Sequence, residues 1–182
     1  MKTVSRATID DLYRVPENGK AELVGGEIVR MSPTGGLPGR ASAAIYVSLR
    51  RHEKTTRGGL AYPDNTGFVV ELPQRKSFSP DAAFHPGTTP TMSFVRGAPT
   101  FAAEVRSEGD YGPRAEDEMA RKRADYFAAG TLVVWDVDLV GADVVRVFRA
   151  ASAEPSIYRR GDVAEAEPAV PGWRMKVDEL FE

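Results

Sequence analysis

The chain has 182 residues of which 42% are hydrophobic, a size and content that one continuous core can serve, so a single domain spanning residues 1–182 is expected. It has no cysteine, which excludes a disulfide scaffold, a zinc knuckle and a thiol nucleophile and makes the cytoplasm the expected compartment. No signal-like run opens it, and no stretch approaches the roughly 18 apolar residues of a membrane span. The net charge of −2 lacks the basic excess usual in nucleic-acid binders, although Arg40, Arg50, Arg51, Lys54 and Arg57 bunch in one segment and Arg121, Lys122 and Arg123 in another.

Thr8 with Asp11 three residues later forms a capping box for a short helix, closed by Pro16 and the turn Glu17-Asn18-Gly19. Ala21 to Val24 and Ile28 to Met31 flank Gly25-Gly26-Glu27 and read as a β-hairpin. After the loop SPTGGLPG, apolar Ala41, Ala44, Ile45 and Leu49 recur at helical period between Arg40 and Lys54. Strand-like runs follow near Gly59 to Tyr62, Phe68 to Leu72, Ser79 to His85 and Phe101 to Val105, suggesting a mainly antiparallel sheet. Pro86 to Pro99 is long for a structureless connection and reads as a mobile or substrate-facing loop. A second helix, Asp117 to Ala129, stops at Gly130 and leads into the apolar strand Leu132 to Trp135, which makes a strand-helix-strand unit. Asp143 to Phe148 alternates as an edge strand, and a polar tail then runs to Trp173 and a final turn, Val177 to Phe181.

Two acids stand inside apolar strand candidates. Strand alternation over Phe78 to Phe84 places Phe78, Pro80, Ala82 and Phe84 on one face and Ser79, Asp81 and Ala83 on the other. Over Phe101 to Arg106 it places Ala102, Glu104 and Arg106 together. A carboxylate in a buried strand is costly unless it is paired or bound to a cation. Glu104 could be paired with Arg106 or Arg123 in a plain ion network. The other reading is a hard-cation site, since Mg²⁺ takes oxygen ligands from one or two carboxylates, waters and a substrate phosphate. His52 and His85 make no HExxH pair, and there is no G-x-S-x-G or phosphate-binding glycine loop, which excludes metallopeptidase, serine hydrolase and P-loop chemistry.

The segments TIDDLYRVPENGKAELVGGEIVRMSP, SPDAAF, FAAEVRS and KRADYFAAGTLVVWDVD, in this order between Thr8 and Val147, closely resemble the Uma-type family of putative restriction endonucleases, a branch of the PD-(D/E)XK nuclease superfamily. The resemblance implies an α/β (mixed α+β) fold with a restriction-endonuclease-like core, a central mixed sheet flanked by helices. It implies Asp81 and Glu104 as metal ligands with the main-chain carbonyl of Val105 as a further one, and Glu22 as an acid near the metal or orienting the lysine. The superfamily's lysine two residues after the second acid is replaced here by Arg106, which cannot deprotonate but can hold a phosphate. Lys122, four residues before Tyr126, resembles a migrated catalytic lysine. Met119, Lys122 and Tyr126 fall along one side of the helix, with Arg123 flanking the same stripe. Ser107-Glu108-Gly109-Asp110 replaces the Ser-Pro-Ser of many relatives, and Arg40 stands near where they tend to have a histidine.

The expected function is therefore a magnesium- or manganese-dependent endonuclease acting on DNA. Asp81, Glu104, Lys122 and Glu22 form its catalytic group, and Arg106 and Arg40 meet phosphate. The rival reading is a catalytically silent nucleic-acid-binding or assembly module with the same fold. A symmetric homodimer is the commonest assembly and would let two sites face two strands.

Overall fold

The computed structural model describes residues 6–16, 19–87 and 89–182, so part of the turn expected at Glu17-Asn18-Gly19 lies outside the described residues. Helix α1, Ile9–Tyr13, opens with the Thr8/Asp11 capping box. Strands β1 (Ala21–Val24) and β2 (Glu27–Arg30) form the hairpin, with Gly25 and Gly26 as its two turn residues. Both have positive φ, 61° and 86°, the demand of a primed turn that side chains rarely meet. Helix α2, Gly36–Thr56, begins four residues before the expected start, within the glycine-rich loop.

The central sheet has six strands. In spatial order they are β11 (Ser156–Tyr158), β10 (Val145–Arg149), β9 (Val133–Val137), β8 (Phe101–Val105), β6 (Ala82–His85) and β3 (Leu60–Pro63). Every neighbouring pair is antiparallel except β8 and β9, which run parallel because helix α3, Pro113–Ala128, carries the chain back between them. The sheet is thus mixed, as expected. A smaller sheet joins β4 (Phe68–Val69) to β5 (Ser77–Phe78) and, in parallel, to β7 (Val95–Arg96). Strands β12 (Val163–Glu165) and β13 (Arg174–Lys176) pair separately, and a 3₁₀ helix spans Val177–Phe181.

The alternation of β8 divides the core. Phe101, Ala103 and Val105 join Ala41, Ile45 and Leu49 of α2 on one face of the sheet. Ala102 joins Ala83, Val134, Phe68, Phe78 and Tyr126 on the α3 side. The run Phe78 to Phe84 is not one strand: it breaks at Ser79-Pro80-Asp81 into β5 and β6, which belong to different sheets. Phe78 therefore packs with Ala83 rather than with Ala82 and Phe84, and Asp81 sits at the joint just before β6. Proline, which has no N–H to give a ladder, marks the break.

Two further expectations are corrected. The segment from Pro86, expected as a structureless connection that is mobile or substrate-facing, contributes β7, and its Phe94 stacks on Tyr13 at 3.9 Å between ring centroids and donates its N–H to the Tyr13 hydroxyl at 2.7 Å. The polar tail supplies three strands and a buried Trp173, which stacks on Trp135 at 4.8 Å and donates its indole N–H to Ser48 Oγ at 3.0 Å. Phe101 meets both indoles edge-on. Trp173→Ala is expected to cost about 3–5 kcal/mol in urea unfolding, the usual range for a buried tryptophan. Ile157→Ala at the exposed edge strand should change stability by less than about 0.5 kcal/mol.

Candidate active site

Three elements bring the acids and the lysine together. The hairpin lies against β5, where Leu23 donates its N–H to Ser77 Oγ at 2.8 Å and Lys76 donates its own to the Leu23 carbonyl. This holds Glu22 under the sheet, buried, with Oε1 accepting the Ser79 N–H at 2.9 Å and Oε2 paired to Arg75. Glu104, on the α3 face of β8, accepts the Tyr126 hydroxyl at 2.6 Å on one oxygen and the Lys122 ammonium at 2.8 Å on the other. Lys122 also reaches Glu22 Oε1 at 3.0 Å, so one ammonium bridges the two glutamates. Asp81 Oδ2 accepts the Val105 N–H at 2.7 Å, which ties the joint before β6 to the end of β8. Ser42 of α2 bonds the Asp81 carbonyl from the other face.

Helix geometry separates the two basic candidates that spacing left open. Lys122 faces the glutamates, whereas the Arg123 guanidinium lies 3.6 Å from the centre of the Phe148 ring. Glu104 is paired with neither Arg106 nor Arg123. Arg106 instead spends its fork elsewhere: its Nε and Nη2 each donate to Asp136 at 2.7 Å, and its Nη1 and Nη2 reach Glu116 of α3. Its side chain is only 2% exposed, so a phosphate would have to displace two carboxylates from it. Arg40 is exposed near the start of α2, two residues before Ser42. The acidic segment that replaces Ser-Pro-Ser has a local use, since Asp110 caps the turn by accepting the Ser107 N–H at 2.7 Å.

Sequence reasoning missed four participants. Lys20 stands between Asp81 and Asp64, reaching Asp64 Oδ1 at 2.7 Å. Arg75 links Glu22 to Asp125 of α3, with its Nε 2.8 Å from Asp125 Oδ2. Lys20 was within reach of a sequence argument, because period-2 alternation puts it on the side of Glu22. Arg75, Asp64 and Asp125 offered no such signal.

The electrostatics follow from this crowding. Burial pushes the Glu104 carboxyl above its ordinary range; Lys122 opposes the shift, while the charges of Asp81 and Glu22 add to it. Burial acts the same way on Glu22, but Lys122 and Arg75 outweigh it and hold that carboxyl low. Burial alone would lower the Lys122 ammonium, yet Glu104, then Glu22, keep it well above the ordinary lysine value.

Among the described residues no group of three or more His, Cys, Asp or Glu forms a ready metal cage. The donors present do suit a hard cation that completes its shell with water and substrate oxygens. Asp81 and Glu104 lie close enough for one charge to raise the other's pKa. In the network as a whole five carboxylates (Glu22, Asp64, Asp81, Glu104, Asp125) face three cationic groups (Lys20, Arg75, Lys122), leaving a formal excess of two negative charges.

Two predictions follow from these contacts. Arg106→Lys should destabilise the fold by roughly 2 kcal/mol in thermal or urea unfolding, because an ammonium cannot replace a fork spanning two carboxylates and leaves buried Asp136 under-paired. Carboxyl-carbon NMR titration should show Glu104 protonating at higher pH than Glu22. A raised folded-state pKa means the folded chain binds the extra proton, so the Glu104 contribution to stability falls as pH rises from the ordinary glutamate range through its own value. The Glu22 contribution has the opposite sign, present above the ordinary range and lost as pH falls through its depressed value.

Comparisons with known proteins bear on the fold and the family. No curated protein matches the chain. A solved structure described as a putative nuclease belonging to DUF820 from Anabaena variabilis superposes with a TM-score of 0.75 at 16% identity, covering 96% of this chain and 97% of that one, and so shows a shared fold. No helix among the described residues is long and apolar enough to cross a membrane. The profile of the Uma2 family, described as putative restriction endonuclease, matches residues 8–178, which include every residue of the network above, and the chain belongs to that family.

Proposed function

We propose that the chain is a divalent-cation-dependent endonuclease that hydrolyses phosphodiester bonds in DNA. The observation that carries this reading is the arrival of Asp81, Glu104 and Lys122 at one partly open place from a strand joint, a strand and a helix, with side chains 18%, 20% and 19% exposed. Family membership and the description of the Anabaena neighbour as a putative nuclease support it. Asp81, Glu104 and the Val105 carbonyl would hold Mg²⁺ or Mn²⁺. Bound there, the cation supplies positive charge to the scissile phosphate and lowers the pKa of the attacking water.

The chain's own groups then have separate tasks. Lys122, kept charged by its two glutamates, donates a hydrogen bond to the attacking water or a phosphate oxygen; a proton held this firmly near neutrality makes it an orienting group rather than a base. Arg75 fixes Glu22, which in turn holds Lys122, and Tyr126 fixes the Glu104 carboxylate. Arg40 would meet the phosphate backbone at the exposed start of α2. Arg106 acts through structure, locking the end of β8 to β9 and α3. The reading includes a cytoplasmic protein and a symmetric homodimer whose two sites address two strands.

The test is cleavage of plasmid and of single- and double-stranded oligonucleotides with and without Mg²⁺ or Mn²⁺. Asp81→Ala and Lys122→Arg are each expected to lower the rate by about a hundredfold or more, as when a preorganised charge is removed from a transition state. Lys122→Arg cutting as fast as wild type would remove Lys122 from the chemistry. A folded wild-type chain that binds no divalent cation is the result expected of the silent module.

A further inference from the structure

Lys20 stands between two carboxylates, one of them the proposed metal ligand Asp81. Its ammonium lies within hydrogen-bonding reach of two carboxylates at once, Asp64 Oδ1 at 2.7 Å and Asp81 Oδ1 at 2.5 Å. The two partners differ in kind. Asp81 accepts the Val105 N–H through Oδ2 and the Lys20 ammonium through Oδ1, so a cation that takes Oδ1 meets Lys20 there. Asp64 lies in the turn after β3, is the more exposed of the two at 39% against 18%, and has its own carboxylate oriented by the Asn65 N–H at 2.6 Å. A lysine stem is flexible, and its head needs only a small rotation to give up one of two partners it already touches.

We propose that Lys20 shares Asp81 with the divalent cation by exchange: its ammonium neutralises Asp81 when no cation is bound and passes wholly to Asp64 when one takes Oδ1. This rests on the reading of Asp81 as a metal ligand. The arrangement answers a physical problem of the site. Like charges in a poorly solvated place repel, so an ammonium that stayed on Asp81 would oppose the incoming cation, while Asp81 without any partner would raise the cost of the crowded acids around Glu104. Asp64 gives the displaced charge a prepared destination. Lys20 and Asp64 are thus positioning residues that set how strongly the site holds its cation.

The experiment measures Mn²⁺ binding to the full chain by the electron paramagnetic resonance signal of free Mn²⁺, for wild type, Asp81→Ala, Lys20→Met, Asp64→Asn and the Lys20→Met/Asp64→Asn double variant. Lys20→Met is expected to bind about tenfold tighter and Asp64→Asn about tenfold weaker, the lower end of what groups around a metal ligand contribute. The double variant should bind like Lys20→Met alone, because Asp64 acts through Lys20. A lysine needed only for folding would not tighten binding when removed. If Lys20→Met melts below the assay temperature, Lys20→Gln carries the same expectation. Wild-type binding that is absent, or unchanged in Asp81→Ala, overturns the metal reading and the exchange with it. Binding that depends on Asp81 but is no tighter in Lys20→Met overturns the exchange alone. So does an Asp64→Asn loss that persists undiminished in the double variant, since Asp64 would then act on the cation directly.

Discussion

The Lys122 ammonium, held between Glu22 and Glu104, is the contact on which the rest of the site depends. It joins the hairpin, the central sheet and α3 in one place, and none of the three groups is well solvated. Ions taken from water repay that loss only when each is met by close partners in good geometry. Each is met here: Glu22 has Lys122, Arg75 and the Ser79 N–H, and Glu104 has Lys122 and the Tyr126 hydroxyl. The packing of α3 against the sheet is therefore fixed by charge as well as by the apolar contacts of Tyr126, which stacks on Phe78 at 4.0 Å.

The same strand face carries a second ion cluster of different character. Glu104 pairs in register with Asp136 of β9, and Arg106, two residues further along, closes on Asp136 and Glu116. Arg106 and Asp136 are 2% and 4% exposed, whereas Lys20, Asp81, Glu104 and Lys122 all lie between 17% and 20%. One network is sealed by two carboxylates around a single guanidinium. The other is partly open, and exposure, rather than an excess of carboxylates that both share, is what separates them.

Sequence made the periodic parts legible and left the junctions obscure. The capping box at Thr8, the glycine turn of the hairpin and the face shared by Ala102, Glu104 and Arg106 each depend on neighbours a few residues apart, so local pattern suffices. Lys122 could not be told from Arg123, because adjacent helix residues flank one stripe and only the partner surface separates them. The break at Pro80 escaped because Phe78 to Phe84 alternates perfectly as letters, while its two halves pair with different strands. Arg75 and Asp64 escaped because their partners lie 53 residues away at Glu22 and 44 residues away at Lys20, a separation no spacing rule spans.

The separate places of Lys122 and Arg106 can be understood from reach. A residue two places after Glu104 on a strand stands about 6.6 Å further along the same face, and here that position borders Asp136 and is used to bind β9. A poorly solvated carboxylate such as Glu104 is met by a cationic partner wherever in the chain that partner comes from. Helix α3 crosses the same face and delivers Lys122 to within 2.8 Å of it, with Tyr126 one turn further on securing the other oxygen. With an ammonium supplied from the helix, the position after β8 holds an arginine, whose planar fork and unreleased proton suit a contact with two carboxylates. The two cations thus have separate structural duties: Lys122 joins Glu22 to Glu104, and Arg106 ties the end of β8 to β9 and α3.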